Sequence, residues 1–154
     1  MTIDISDAPR TDVDADEVAR FARSILDAEG VAADASLSIE FVDPDHIAEL
    51  NAEFMGKIGP TDVLSFPIED AEPGRPPVRA EGGPPVDLGD IVICADVVHE
   101  HADAFGVSFD DELHLMVCHG VLHILGWDHQ TDDEAERMEA REAEHLQRIG
   151  KVRR

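Results

Sequence analysis

Residues 110–129 are predicted to form an amphipathic helix followed by a tight turn. This segment constrains the fold more than any other part of the sequence. His119 and His123 are four residues apart, so on a helix both imidazoles project from the same face. The stretch also carries an apolar stripe suited to a core, made of Leu113, Met116, Val117, Val121 and Ile124. Gly126 suits a left-handed helix end, after which the chain can turn back. We therefore predict a helix whose end brings His129 towards the two helical histidines.

Three imidazoles within eleven residues indicate a metal site rather than isolated histidines on a helix surface. Neutral imidazoles are good zinc ligands, and three protein ligands with an open fourth position are typical of catalytic zinc sites. His119, His123 and His129 are therefore predicted to bind one Zn²⁺ ion per chain. Asp128 either orients one of these imidazoles through its carboxylate or is a turn residue.

The three histidines and Gly126 also match the metalloprotease pattern H-E-x-x-H-x-x-G-x-x-H, with one exception. Gly120 occupies the position of the glutamate that acts as the general base in those proteases. Glycine cannot accept a proton, so the spacing predicts a similar ligand geometry without that proteolytic machinery. The sequence therefore disfavours hydrolysis of peptides or amides as the function of this chain.

Hydrophobic periodicity predicts an α+β fold in a single domain spanning residues 1–154. A small mixed sheet of about four strands would pack against four or five helices. Strands are predicted at 37–42, 61–68 and 89–95, and helices at 14–29, after 43–45, and at 96–105, 110–125 and 131–149. Residues 70–88, rich in proline and glycine, are predicted to form a long mobile surface loop.

The charge of the chain limits its partners. It has 35 acidic and 12 basic residues, a formal net charge of −23, and no Lys or Arg between Ala80 and Glu136. A free-standing nucleic-acid-binding protein usually shows a basic face, which this composition does not provide. The one basic cluster, Arg148, Lys151, Arg153 and Arg154, is predicted to be a solvated helix C-terminus, with contact to RNA or a ribosome as the alternative.

The composition also predicts a cytoplasmic location. The longest purely apolar run, Ile91–Ala95, is far too short to span a bilayer, so we expect no membrane partner. The start of the chain lacks the positive and apolar regions of a signal peptide. Cys94 and Cys118 are too few for a disulfide framework and suit a reducing compartment.

The histidine segment, HGVLHILGWDH, resembles the signature HGxLHLxGxDH of the YbeY endoribonuclease family, the rRNA maturation factors. Two upstream blocks are also similar to that family, PTDVLSFP at 60–67 and LGDIVIC at 88–94. DDEAERME, after the histidines, fits the family's C-terminal helix. The order and spacing of these blocks hold from about residue 37 to about residue 149, which is most of the chain.

The resemblance implies an α+β fold and zinc bound by the three histidines. It also implies single-strand-specific endoribonuclease activity, used in maturing the 3′ end of 16S rRNA and in ribosome quality control. The implied partners are rRNA, the small ribosomal subunit, the GTPase Era and a small-subunit ribosomal protein. Thr61, Asp62 and Ser65 lie in a signature block and are candidates for lining the substrate groove, although strand-end and turn hydrogen bonds would also explain them.

Met55 departs from the family pattern. Many members carry an arginine in the helix before PTDVLSFP, and Met55 stands at that position here. In the family this arginine is thought to engage RNA. Lys57, the sole basic residue between Ser24 and Gly74, is the candidate substitute. Met55 itself is predicted to be a packed helix residue.

Two other functions stay open beside the zinc-dependent endoribonuclease. One is a non-catalytic ribosome assembly factor in which the zinc site is structural, and the acidic surface and Met55 favour it. The other is a metallohydrolase of peptides or amides, which Gly120 opposes.

Overall fold

The computed structural model describes residues 1–6 and 12–154, which form one mixed four-stranded sheet and five helices. The predicted α+β class is confirmed. In chain order the elements are β1 (Thr2–Ser6), α1 (Ala15–Ala28), β2 (Ser36–Phe41), α2 (Pro44–Met55), β3 (Val63–Pro67), β4 (Asp87–Ile93), α3 (Ala95–Phe105), α4 (Phe109–Ile124) and α5 (Asp132–Gln147).

The strands lie in the order β1-β2-β4-β3. The first three are parallel, and β3 is antiparallel to β4 with Val63 opposite Ile93. The sequence patterns predict β2, β3 and β4 but assign no segment to β1. That strand has only five residues at the sheet edge, and both Ile3 and Ile5 are just half-buried. Its short alternation is a weak signal, because an edge strand needs little apolar surface.

Four of the five helices in the described parts of the chain begin where a side chain can satisfy a free backbone N–H group of the first turn, and α3 begins after Cys94 without such a cap. Asp14, Asp43, Ser108 and Thr131 each accept a hydrogen bond from the backbone N–H three residues later. Among the described residues, no helix combines the length and the apolar composition that a membrane span requires.

Alternation along β4 divides the apolar interior into two clusters. Ile91 and Ile93 belong to the main core with residues of α1 and α4, whereas Val92 faces a smaller cluster that contains Ile47 of α2 and Val97 of α3. The sheet therefore has apolar packing on both faces. Helix α4 packs against β3, β4, α1, α3 and α5, and this central position makes it a rigid support for its histidines.

Helix α4 reaches the sheet at Gly120. A Cβ atom built there would lie 3.0 Å from Ile91 Cγ2 and 3.3 Å from Val63 Cγ2, so any side chain would crowd both strands. Ser65 Oγ donates a hydrogen bond of 3.0 Å to the Gly120 carbonyl oxygen at the same place. The glycine that interrupts the protease pattern is thus a packing position between helix and sheet.

Helix α5 is fixed to α1 by a buried ionic cluster. Arg141 Nε donates to Glu29 Oε2 over 2.8 Å, and His145 Nε2 lies 3.3 Å from the same oxygen. Burial raises the pKa of Glu29, but the hydrogen bonds from His145 and Arg141 outweigh it and lower the pKa from 4.5 to about 2. The carboxylate therefore stays charged at neutral pH and holds α5 against the C-terminal end of α1.

The segment predicted as a loop, 70–88, contains a turn closed by a bridge between Glu72 and Arg75, and β4 begins inside its predicted end. Its first residues contact the histidine turn. A Cβ atom on Gly126 would lie 2.1 Å from the Ala71 carbonyl oxygen, so this position requires glycine. The loop therefore packs against the chain reversal that follows α4.

Candidate metal centre

A cleft of about 660 Å³ lies where the end of α4 meets β3, the end of α2 and α5. All the residues that the sequence nominated for a site line it: His119, His123, His129, Lys57, Thr61, Asp62, Ser65, Asp128 and also Met55. They come from distant parts of the chain, so folding collects them in one concave surface. The last two residues of the chain, Arg153 and Arg154, also line this cleft.

The three histidines converge at one end of the cleft. His119 and His123 project from the last turns of α4, and Gly126, at φ 93°, reverses the chain so that His129 faces them. The ring centroids lie 4.4 to 5.4 Å apart. One nitrogen from each ring lies within 4.8 Å of the other two, so the three side chains form a group that could hold a metal ion.

Hydrogen bonds at the opposite ring nitrogens orient two of these imidazoles. His123 Nδ1 lies 2.8 Å from the Trp127 carbonyl oxygen, and His119 Nδ1 lies 2.8 Å from Glu142 Oε2. Because a carbonyl or carboxylate oxygen only accepts hydrogen bonds, both Nδ1 atoms carry a proton. In the neutral rings each Nε2 atom then keeps its lone pair for a ligand.

The donor atoms fit a metal ion. His119 Nε2 and His123 Nε2 lie only 2.9 Å apart, and both present lone pairs. Two lone pairs at this distance repel unless a cation lies near both of them. Burial lowers the pKa of His123, which favours the neutral imidazole that can bind a metal.

Glu142 is a site residue that the sequence predictions missed. It lies on α5, is 1% exposed, and contacts both His119, through Oε2, and Arg153, whose Nε donates to Oε1 over 3.0 Å. Burial raises the pKa of Glu142, but the hydrogen bonds and charges of His119 and Arg153 hold it below its ordinary value. A signal was available, because Glu142 falls in the apolar stripe of α5 between Met138 and Leu146.

Among the described residues, the carboxylate of Asp128 does not hydrogen-bond to a ligand imidazole, although that contact was one of the two predictions for this residue. Its Oδ1 accepts a hydrogen bond of 2.8 Å from the backbone N–H of His129. This contact shapes the turn that presents the third histidine, as expected for a turn residue. The carboxylate that reaches a ligand imidazole belongs to Glu142 instead.

The polar residues of the block PTDVLSFP, at 60–67, form hydrogen bonds that stabilise one wall of the cleft. Asp62 Oδ1 accepts from the backbone N–H of Val63 over 2.8 Å, and Asp62 Oδ2 lies 3.1 Å from His101 Nδ1. Thr61 Oγ1 donates to Asp62, and Ser65 donates to the helix carbonyl described above. Their role in binding a substrate stays a prediction. Lys57 forms no ion pair with any described residue, so its ammonium group is available at the cleft edge.

The prediction of a solvated basic C-terminus is wrong for three of its four residues. Lys151 Nζ lies 2.7 Å from both Asp110 Oδ2 and Asp111 Oδ1. Arg153 bonds Glu142, and Arg154 makes a two-pronged contact with Glu112, with distances of 2.6 and 3.0 Å. Glu112 is 1% exposed, so its carboxylate needs a cation close by. The two arginines fold back because two buried carboxylates would otherwise lack a partner cation.

Two histidines that the sequence assigned to surface or helix positions are buried. His114 packs against Phe21, with ring centroids 5.2 Å apart, and donates from Nδ1 to the Asp110 carbonyl oxygen over 2.8 Å. His145 belongs to the Glu29 cluster. Both support helix packing, and neither lines the cleft.

The chain is similar to known proteins over nearly its whole length. Residues 4–150 match the family model described as Endoribonuclease YbeY. The protein named Endoribonuclease YbeY from Salinispora tropica is 45% identical over 148 residues, covering 95% of this chain and 94% of its own. Its counterpart from Thermobifida fusca is 43% identical over 138 residues, covering 90% and 87%. The solution structure of TM1509 from Thermotoga maritima superposes with a TM-score of 0.59 at 26% identity, covering 97% of this chain and 92% of that one.

Proposed function

Because the chain belongs to the endoribonuclease YbeY family, we propose that it is a metal-dependent endoribonuclease that cuts single-stranded RNA in the cleft. The observation that carries the proposal is the convergence of three imidazoles, two of which have their Nδ1 atoms committed to hydrogen bonds. We further propose that the metal is one Zn²⁺ ion per chain, held by His119, His123 and His129. A set of three neutral nitrogen donors suits that ion.

When bound, zinc supplies a Lewis acid that polarises a phosphoryl oxygen and lowers the pKa of a water molecule to about 7. The chain contributes the rest. Trp127 and Glu142 hold two ligand rings in the tautomer that keeps Nε2 free. Gly120 supplies no carboxylate beside the histidines, so the general base of the metalloproteases is missing and peptide hydrolysis is disfavoured.

The shape and charge of the cleft support RNA as the substrate. The three histidines line the cleft, where His119 and His123 are partly covered and His129 is exposed, so a flexible single strand reaches all three more easily than a stiff duplex. Lys57 is the available cation for a phosphate group, in place of the arginine replaced by Met55. Arg153 and Arg154 neutralise two carboxylates that would otherwise repel the RNA backbone.

The net charge of −23 supports a role on a larger particle. Such a surface binds naked RNA weakly, so we propose that a ribosomal surface or a partner protein presents the substrate. The substrate would be the 3′ end of 16S rRNA on the small ribosomal subunit, in rRNA maturation and ribosome quality control. The candidate partners are the GTPase Era and a small-subunit ribosomal protein, and the setting would be the cytoplasm.

The same charge favours the second candidate, a ribosome assembly factor that binds without cutting. A complementation experiment separates the two. If a folded His129→Ala variant restores rRNA maturation in cells that lack the protein, cleavage is dispensable and the assembly role stands.

The proposed activity predicts a preference for strand state. Zinc-loaded protein should cut a labelled single-stranded RNA at low salt and leave the same sequence intact in a duplex. Raising the salt concentration should slow cutting, because any phosphate contact weakens as salt rises. Gel analysis of both substrates tests this. Equal cutting of the duplex, or no cutting of RNA or whole small subunits by folded, loaded protein, would contradict the proposal.

A further inference from the structure

We propose that Arg153 is a positioning residue that acts on the metal centre through Glu142. This inference rests on the proposed metal site. Three groups form a continuous chain of hydrogen bonds: Arg153 Nε to Glu142 Oε1 at 3.0 Å, and Glu142 Oε2 to His119 Nδ1 at 2.8 Å. Each carboxylate oxygen therefore has its own donor, one on either side.

Because Glu142 is buried, its carboxylate depends on both of these hydrogen-bond donors. Glu142 is 1% exposed, so its carboxylate has almost no water to replace a lost partner. Its two oxygens are fixed only when both donors are present. Without the guanidinium, Oε1 would be a buried charged atom with no hydrogen bond from the protein, and the side chain would turn to find one. Any such rotation moves Oε2 and releases the ring of His119.

Ion pairs of two nearby residues anchor the segment that carries Arg153. Lys151 Nζ contacts Asp110 and Asp111 at 2.7 Å each, at the start of α4. Arg154 binds the buried carboxylate of Glu112. These contacts anchor the segment on both sides of Arg153, so the guanidinium is held in place rather than free to leave.

The charge of Arg153 and its positioning role predict opposite effects on metal affinity when the residue is removed. A guanidinium close to a cation repels it, so removing Arg153 would tighten binding if charge alone mattered. If Arg153 instead positions His119 through Glu142, removing it weakens binding. Changes in partners of metal-ligating histidines typically cost about 10-fold to 100-fold in metal affinity.

The test measures metal affinity without RNA. Zn²⁺ affinity is determined by competition with a chromophoric chelator, and the visible absorption bands of bound Co²⁺ report the geometry of the ligands. We expect R153Q to bind Zn²⁺ about 10-fold more weakly than the wild type, with altered Co²⁺ bands. R153K, which keeps the charge but lacks the planar fork, should fall between the two. R137Q, on the exposed face of α5, is the matched control and should bind as the wild type does.

A double variant decides whether the effect passes through Glu142. In an E142Q background, R153Q should cause no further loss of affinity. Unchanged or tighter binding by folded R153Q, or full additivity with E142Q, would overturn the inference while leaving the metal site in place. Failure of the wild-type protein to bind Zn²⁺ would overturn both the site and the inference. Thermal unfolding of every variant shows that a loss of affinity is not a loss of fold.

Discussion

Replacing His123 with alanine is expected to abolish metal binding and to lower RNA cleavage by about a thousandfold or more. The side chain supplies one of the three nitrogen donors, and the other two are too few for a stable site. Its Nε2 atom also lies 2.9 Å from His119 Nε2, so its loss removes one of two adjacent donors on α4. Metal content by atomic emission and single-turnover cleavage of a labelled RNA measure the two effects.

The controls for this substitution separate chemistry from folding. His123 also bonds the Trp127 carbonyl oxygen, so alanine could loosen the turn. His129→Ala removes a donor from an exposed position and should show the same loss with the helix undisturbed. His46→Ala, on the exposed surface of α2, should keep full activity. A His123→Ala protein that lacks zinc yet cleaves RNA at the wild-type rate would rule out the metal mechanism.

Introducing the glutamate of the metalloprotease pattern by Gly120→Glu is expected to destabilise the protein by about 4 kcal/mol or more. The variant is expected to have no peptidase activity. A Cβ atom at this position already crowds Ile91 and Val63, and overpacking of this kind costs about 1–3 kcal/mol. The carboxylate would enter an apolar interface without a partner, which adds about 3–5 kcal/mol. Chemical denaturation measures the change in the free energy of unfolding.

The control substitutions for Gly120 isolate these contributions. Gly120→Ala adds only the Cβ atom, and its overpacking cost is offset by a gain of about 1 kcal/mol in helix propensity. Ala140→Glu, on the exposed face of α5, adds the same carboxylate at little cost. A Gly120→Glu protein as stable as the wild type would show that the glycine is not a packing position, and hydrolysis of casein by this variant would contradict the expected lack of peptidase activity.

Periodicity within single elements was enough to predict most of the fold. The apolar stripes of α1 and α4 and the alternation in β2 are local patterns, and they match the buried residues of the structure. Strand β1 was not predicted, because a short edge strand buries little apolar surface and so has a weak sequence pattern. Its pairing with β2 depends on residues more than thirty positions away, which no local pattern encodes.

The candidate site was predictable where its residues share one helix and its turn. His119, His123 and His129 follow from helical spacing and a glycine, and the structure brings them together. Glu142 comes from another helix, and Arg153 and Arg154 reach the cleft only because the segment after α5 folds back. Sequence spacing carries no information on such contacts. The clue that remained was a charged residue in an apolar stripe, which requires a buried partner.

The most direct test of the central claim is the rate of single-stranded RNA cleavage as Zn²⁺ is added to metal-free protein. If the three histidines hold the metal that drives cleavage, the metal-free protein should be inactive. Activity should then rise in proportion to bound Zn²⁺ and level off at one ion per chain. Full cleavage by the metal-free protein, or activity that does not follow occupancy of this site, would contradict the account.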